Sequence, residues 1–203
     1  MTPDGARSPT VRRSLLGLGA IGFCFYVAEA AADDWSAIYL REEMGAPESV
    51  AGFGYAAFSL AMAAGRLAGD RVLMAFGPVR CVRAGASLAA LSLFVMLAVD
   101  QPWLAVACFG IFGAGMCLVA PATYSAAGAL TEAGAGRAIA RVTTLGNIGL
   151  LGGPPIIGGL AELFSMPLAM AFIALLPVCV AVLAPALRPA QRTAAEDATS
   201  RAP

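Results

Sequence analysis

Long apolar stretches alternate with short polar connections along the chain. Each apolar stretch is close to the roughly 20 residues that an α-helix needs to cross about 30 Å of hydrocarbon. The pattern therefore predicts an all-α membrane protein with six spanning helices. Residues 1–13 and 188–203 are then polar tails, and no length remains for a soluble domain. The predicted bounds of the spans are residues 14–40, 50–65, 81–99, 103–125, 138–160 and 168–187.

The composition agrees with a membrane protein, because 59% of the residues are hydrophobic and only 13% are charged. A soluble domain carries about 25% charged residues. The chain also contains no histidine. Its absence argues against membrane enzymes that use a Ser-His pair or an HExxH zinc site. We therefore expect a protein that is not an enzyme and has no metal and no cofactor.

The arginines are distributed unevenly between the two sets of connections. Arg41 is the only arginine in the connections 41–49, 100–102 and 161–167. The positive-inside rule then places both termini and the 66–83 connection in the cytoplasm, and the 41–49 connection outside. Because the arginines sit at membrane edges rather than on one basic surface, nucleic acid is not an expected partner. The arginines assigned to the cytoplasmic side are Arg7, Arg12, Arg13, Arg66, Arg71, Arg80, Arg83, Arg137, Arg141, Arg188, Arg192 and Arg201.

The first predicted span permits a second interpretation. The pair Arg12-Arg13 before Leu15-Leu16 is similar to a twin-arginine export signal, and Ala28-Glu29-Ala30 fits a small-residue cleavage site. A cleaved signal normally precedes a soluble protein, whereas five further predicted spans follow here. A retained first span is therefore the preferred interpretation.

The same span contains three carboxylates, Glu29, Asp33 and Asp34. At 100° per residue, Tyr26 and Asp33 lie within about 60° of Glu29, whereas Asp34 lies about 140° away. Glu29 is roughly 22 Å into the span at 1.5 Å per residue, which is near the middle of a bilayer. Ionisable groups at that depth usually mark a substrate or ion pathway.

Glu29 is therefore the principal candidate for a proton-binding group. Desolvation favours the uncharged form of a carboxyl, which suits a group that takes up and releases a proton. The sequence also allows a helix-pairing hydrogen bond for Glu29 and simple hydration near the outer edge for the two aspartates. The predicted pathway comprises Glu29, Asp33, Asp34, Tyr26 and Asn147.

Small residues recur at helical spacing in several predicted spans, where they let helix backbones approach closely within a membrane. The second span carries such a ridge at Ala57, Ala61, Gly65 and Gly69. In the fifth span the pair Pro154-Pro155 removes two backbone donors, so a bent helix is expected there. The other glycines that predict close packing are Gly110, Gly113, Gly115, Gly146, Gly149, Gly152, Gly153, Gly158 and Gly159.

These features resemble the C-terminal half of a major facilitator superfamily transporter over residues 14–187. The resemblance is carried by the six spans, by the stretch 29–41 and by the Gly-Gly-Pro-Pro-Ile sequence at 152–156. It is closest to a bacterial branch grouped with sugar permeases. In the pattern of that branch Asp34 matches the family aspartate, whereas the helical wheel favours Asp33. Both arguments support Glu29.

The connection between the second and third spans resembles the cytoplasmic loop motif of the superfamily. Its matching residues are Gly65, Asp70, Arg71, Gly77 and Arg80. The interval before Gly77 is longer than in the motif, and a proline follows it in place of a basic residue. The resemblance thus supports a cytoplasmic location more strongly than a gating role.

The resemblance implies transport of a small, sugar-like solute coupled to protons across a bacterial inner membrane. Family members hold their substrate between two six-helix halves. A lone half needs a partner, which we expect to be a separately encoded N-terminal half, a second copy, or the missing portion of a truncated gene. A membrane assembly subunit that does not transport and an inactive fragment are also compatible with the sequence.

Overall fold

The computed structural model of the chain describes residues 9–130 and 134–188. These residues form helices and short connections without a β-strand, which confirms the predicted all-α fold. Most of both predicted tails, including Arg7, Arg192 and Arg201, lies outside the described residues. The helices are α1 (Pro9–Glu42), α2 (Glu48–Phe76), α3 (Pro78–Ala98), α4 (Pro102–Met116), α5 (Val119–Ala129), α6 (Ala135–Leu163) and α7 (Met166–Leu183), and a 3-10 helix (Ala184–Leu187) follows α7.

Five helical segments in the described ranges are long and apolar enough to cross a membrane. They correspond to α1, α2, α3, the combined α4 and α5, and α7 with its 3-10 extension. The 29-residue α6 has the length but not the apolarity, because it carries Arg137, Arg141 and Asn147 along with many glycines. A sixth span at this position stays a prediction.

The segment predicted as one span at 103–125 consists of two helices. α4 ends at Met116, a turn follows at Cys117 and Leu118, and α5 begins at Val119. The cause lies in Pro121, which has no backbone N–H for the carbonyl of Cys117 and whose ring crowds that carbonyl. The break therefore follows from the proline, and the two helices together still form one candidate membrane span.

The segment between Gly65 and Arg80, predicted as a loop, is largely helical. α2 continues to Phe76, so Gly65, Asp70 and Arg71 lie on its last turns, and Arg80 lies in the first turn of α3. The turn itself is a single residue, Gly77, whose φ of 79° is in the region that favours glycine. Hydropathy marks the apolar part of a helix, and α2 extends past that part into a charged segment.

The central helix is α1, which contacts α2, α5 and α7 and packs most extensively on α6. A Cβ built on Gly149 of α6 would lie 2.7 Å from the carbonyl oxygen of Phe23, so the two backbones touch there. A Cβ on Gly153 would lie 3.3 Å from the Cα of Val27. The predicted packing role of these two glycines is confirmed. At Gly159 the described residues do not support the predicted packing, because none of their atoms lies within 4 Å of a built Cβ.

The ridge of small residues on α2 packs where α4 meets α5. A Cβ on Gly69 would lie 2.7 Å from a methyl group of Leu118, and a Cβ on Gly65 would collide with the thiol of Cys117. This contact confirms the predicted close approach of the second span. α2 also buries Ala51, Phe58 and Met62, but most of the helix is exposed, since only 22% of its most apolar window is buried, against 61% for Pro102–Ala129.

Candidate functional site

The polar residues of α1 face a groove that α1 forms with α2 and α5. Within the groove, a guanidinium nitrogen of Arg66 on α2 donates a hydrogen bond of 3.1 Å to a carboxylate oxygen of Glu29 on α1. The Glu29 side chain is 17% exposed and the Arg66 side chain is 47% exposed. A partly exposed ion pair thus joins two helices that are apolar enough to cross a membrane.

The pairing of Arg66 with Glu29 was not predicted from the sequence. The arginine pattern places Arg66 at the cytoplasmic edge, and the hydropathy pattern makes Glu29 the only charge near the middle of the first span. Because α2 continues to Phe76, Arg66 lies roughly three turns before the end of its helix and at the level of Glu29. A second contact, 2.9 Å to the sulfur of Met62 one turn earlier, also holds the guanidinium.

A pair of tyrosines closes the other side of the groove. The hydroxyl groups of Tyr26 on α1 and Tyr124 on α5 are 2.6 Å apart and hydrogen-bonded, with either one able to donate. Tyr124 lies on α5, one turn beyond Pro121. The groove contains a cavity of about 360 Å³, lined by Tyr26, Arg66, Gly69, Asp70, Leu73, Leu118, Ala120, Pro121 and Tyr124.

The remaining predicted pathway residues are only partly brought together. Asp33 is exposed, roughly one turn beyond Glu29 on α1. Asp34 is also exposed, one position further along the helix and away from the polar stripe. Asn147 is exposed on α6. Of the five predicted residues, Tyr26 lines the cavity and Glu29 pairs with the Arg66 that lines it, so these two are joined to the groove by direct contacts.

The residues of the predicted loop motif do not lie together at one site. Asp70 lines the groove one turn beyond Arg66, whereas Gly65 packs against Cys117. Arg71 and Arg80 are exposed and do not line the cavity of the groove, and Gly77 provides the turn between α2 and α3. The motif thus contributes the Asp70 side chain to the groove, and its Gly77 forms the turn that ends α2.

Two site residues, Arg66 and Tyr124, were missed from the sequence. Arg66 could have been found by extending the helical wheel of α2 beyond residue 65, which places it four positions after Met62. For Tyr124 the available signal was Pro121, which predicts a break in the span. Chemically, the assembled groove offers a carboxylate, a guanidinium and two phenol hydroxyls, which can bind a polar solute and exchange a proton.

Comparison with known proteins agrees with this architecture. The sequence profile of the Major Facilitator Superfamily matches residues 12–203. The chain is 35% identical to an uncharacterized MFS-type transporter of Yersinia pestis, over 91% of the chain and 48% of that protein. It is 35% identical to an uncharacterized transporter of Sinorhizobium fredii, over 84% of the chain and 45% of that protein. It is 34% identical to the membrane protein MosC of Rhizobium meliloti, over 82% of the chain and 41% of that protein. The chain spans about half the length of the curated relatives it matches.

Proposed function

The chain belongs to the major facilitator superfamily, and from that premise we propose that it forms one six-helix half of a secondary transporter. The transporter moves a small polar solute across the inner membrane of a bacterium. The observation that carries this proposal is the 3.1 Å ion pair between Glu29 and Arg66. Ionisable groups within membrane helices usually line substrate or ion pathways, because burying a charge in the bilayer costs several kcal/mol of free energy.

The groove supplies one wall of the transport path. Its polar stripe is open on the side away from α6, and a half bundle alone would turn these charges toward lipid. We propose that an N-terminal six-helix half covers it, with the substrate held between the two halves. In this arrangement α6 is the sixth span, and its polar residues face the path or the membrane edge. Both termini are cytoplasmic, in line with the positive-inside rule.

Glu29 and Arg66 together can couple the solute to a proton. When Glu29 takes up a proton it loses its charge, and its hold on the Arg66 guanidinium weakens. The released guanidinium can then donate to oxygen atoms of the solute. Hydroxyl-rich, sugar-like molecules fit this donor and the two tyrosine hydroxyls, and they are the substrate class we propose.

The test uses the chain co-reconstituted with its N-terminal half in proteoliposomes. A panel of hexoses and hexitols is first screened for thermal stabilisation of the assembly, and the ligand found is used for transport. We expect accumulation driven by a pH gradient in the wild type. In Glu29→Gln accumulation should be lost while exchange of the ligand across the membrane continues, because glutamine keeps the shape but not the titration.

The control is Glu43→Gln, since Glu43 is exposed just beyond the end of α1 and outside the groove. It should transport like the wild type. Unchanged pH-driven accumulation in Glu29→Gln would refute the coupling role. An assembly that forms with the N-terminal half yet binds no member of the panel would refute the sugar-like class, and one that moves no solute at all would favour the non-transporting subunit.

A further inference from the structure

A second cavity lies near the start of α1, where this helix packs beside the first half of α6. Its volume is about 660 Å³, larger than that of the groove, and the two cavities share no lining residue. Two arginines, Arg12 of α1 and Arg141 of α6, line it together with apolar and small side chains. The lining residues are Arg12, Leu15, Leu16, Ala140, Arg141, Thr144 and Leu145.

The positive charge of this cavity is not balanced within the described residues. Arg12 and Arg141 are both exposed, and neither forms an ion pair with a described carboxylate. The first described acidic residue of α1 is Glu29, roughly 25 Å further along the helix at 1.5 Å per residue. That carboxylate is already paired with Arg66. Two guanidinium groups therefore line the same opening, and among residues 9–130 and 134–188 neither one has a carboxylate partner.

Apart from Thr144, whose hydroxyl donates to the carbonyl of Ala140, the rest of the lining is apolar. Leu15, Leu16 and Leu145 line the cavity beside the arginines, and the Leu16 side chain is exposed. A small soluble anion would satisfy the arginines but leave this leucine wall uncovered. A ligand that carries a phosphate and a hydrocarbon chain would cover both parts, because guanidinium groups bind phosphate through paired hydrogen bonds.

We propose that this cavity is a binding site for an anionic phospholipid. The phosphate lies between Arg12 and Arg141, and an acyl chain runs along Leu16 and Leu145. Basic pockets between membrane helices at the cytoplasmic edge bind the headgroups of anionic lipids in this way. The bound lipid would bridge α1 and α6, the two helices whose close packing positions the polar stripe of the groove.

The first experiment measures lipid retention by native mass spectrometry. The full chain is released from nanodiscs made of phosphatidylcholine with phosphatidylglycerol, and bound phosphatidylglycerol is counted. Loss of one arginine at a membrane surface weakens attraction to anionic lipid about fivefold, so Arg12→Gln/Arg141→Gln should lower retention roughly 25-fold. The matched control is Arg13→Gln/Arg137→Gln, which removes two exposed arginines of the same helices that do not line the cavity.

The control variant should retain phosphatidylglycerol within about twofold of the wild type, since about fivefold is expected for each arginine that contacts the lipid. Equal retention by all three proteins would overturn the proposal, and so would an equal loss in both double variants. Inorganic phosphate is added in a parallel measurement. Competition at millimolar phosphate without any effect of the acyl chains would reassign the site to a free anion.

The second experiment identifies what covers the cavity in the membrane. A photoreactive phenylalanine analogue replaces Leu16 in the full chain, and cells are irradiated before purification. An adduct with the mass of a phospholipid is expected. An adduct with a polypeptide, either another helical bundle or a second copy, would overturn the proposal. Neither measurement depends on transport, so the lipid site and the transport role can fail separately.

Discussion

Two faces of α1 are built by opposite means. Toward α6, contact is made by backbone, because Gly149 and Gly153 let the helix approach Phe23 and Val27 to within van der Waals distance. At its polar stripe, toward α2 and α5, contact is made by the ends of long side chains, the Glu29–Arg66 ion pair at 3.1 Å being the clearest case. At Gly149 and Gly153 the first face has no room for a side chain, whereas the polar stripe has a cavity of about 360 Å³ beside it.

The difference assigns a role to each face. Glycine contacts within a membrane depend on dispersion and on close backbone approach, which a bulky side chain destroys. Side-chain contacts across a cavity can instead be exchanged for contacts with a solute. We therefore expect the α6 face to fix the position of α1, and the polar face to change partners during transport.

The largest expected effect comes from filling the glycine contact. Gly149→Val places atoms where the Phe23 carbonyl oxygen lies, so we expect a loss of about 3 kcal/mol of stability or failure to accumulate in the membrane. Gly159→Val on the same helix is the control, because nothing lies within 4 Å of its Cβ position. The measurement is the thermal midpoint of the monodisperse peak in detergent. Equal midpoints for the two variants would contradict the assignment of a rigid face.

A smaller effect is expected from breaking the ion pair. Arg66→Gln leaves Glu29 without its charged partner, and we expect a cost of about 1 to 3 kcal/mol, toward the lower end because Arg66 is half exposed. Adding Glu29→Gln to this variant removes the unpaired charge and should restore part of the stability. The measurement is a double-mutant cycle on unfolding in detergent.

The control for this cycle is Arg71→Gln, because Arg71 is an exposed arginine of the same helix that does not line the cavity of the groove. It should change stability by less than about 0.5 kcal/mol, as surface substitutions usually do. Strict additivity of the Arg66 and Glu29 substitutions would show that the pair is not coupled. The polar face would then be no more than two separate side chains.

The sequence predicted the rigid face better than the polar one. Gly149 and Gly153 are recognisable because helix packing leaves a local signature, small residues at helical spacing. The pairing of Glu29 with Arg66 depends on how far α2 extends relative to α1. Hydropathy places the end of the second span near residue 65, where charged residues begin, and so separates Arg66 from the membrane interior.

The position of Tyr124 was hidden for a related reason. An apolar window from 103 to 125 predicts a single continuous helix, although Pro121 interrupts the hydrogen bonds and the segment consists of α4 and α5. A hydropathy window averages over such a residue. The stripe of Tyr26, Glu29 and Asp33 could be predicted as one face because it lies on a single helix. The partners of Tyr26 and Glu29 lie on other helices and required the tertiary structure.

The smallest expected effect concerns the tyrosine pair, and it tests whether the polar face holds α1 at all. Tyr26→Phe and Tyr124→Phe each remove the same 2.6 Å hydrogen bond, so each should cost about 1 kcal/mol. The double variant should cost little more than either single one, because one bond cannot be lost twice. Tyr55→Phe is the control, since Tyr55 is an exposed tyrosine of α2 outside the groove. Unequal single costs that add in the double variant would mean that each hydroxyl has its own partner. The polar face would then be held by independent contacts, and its contrast with the glycine face would be weaker than the geometry indicates.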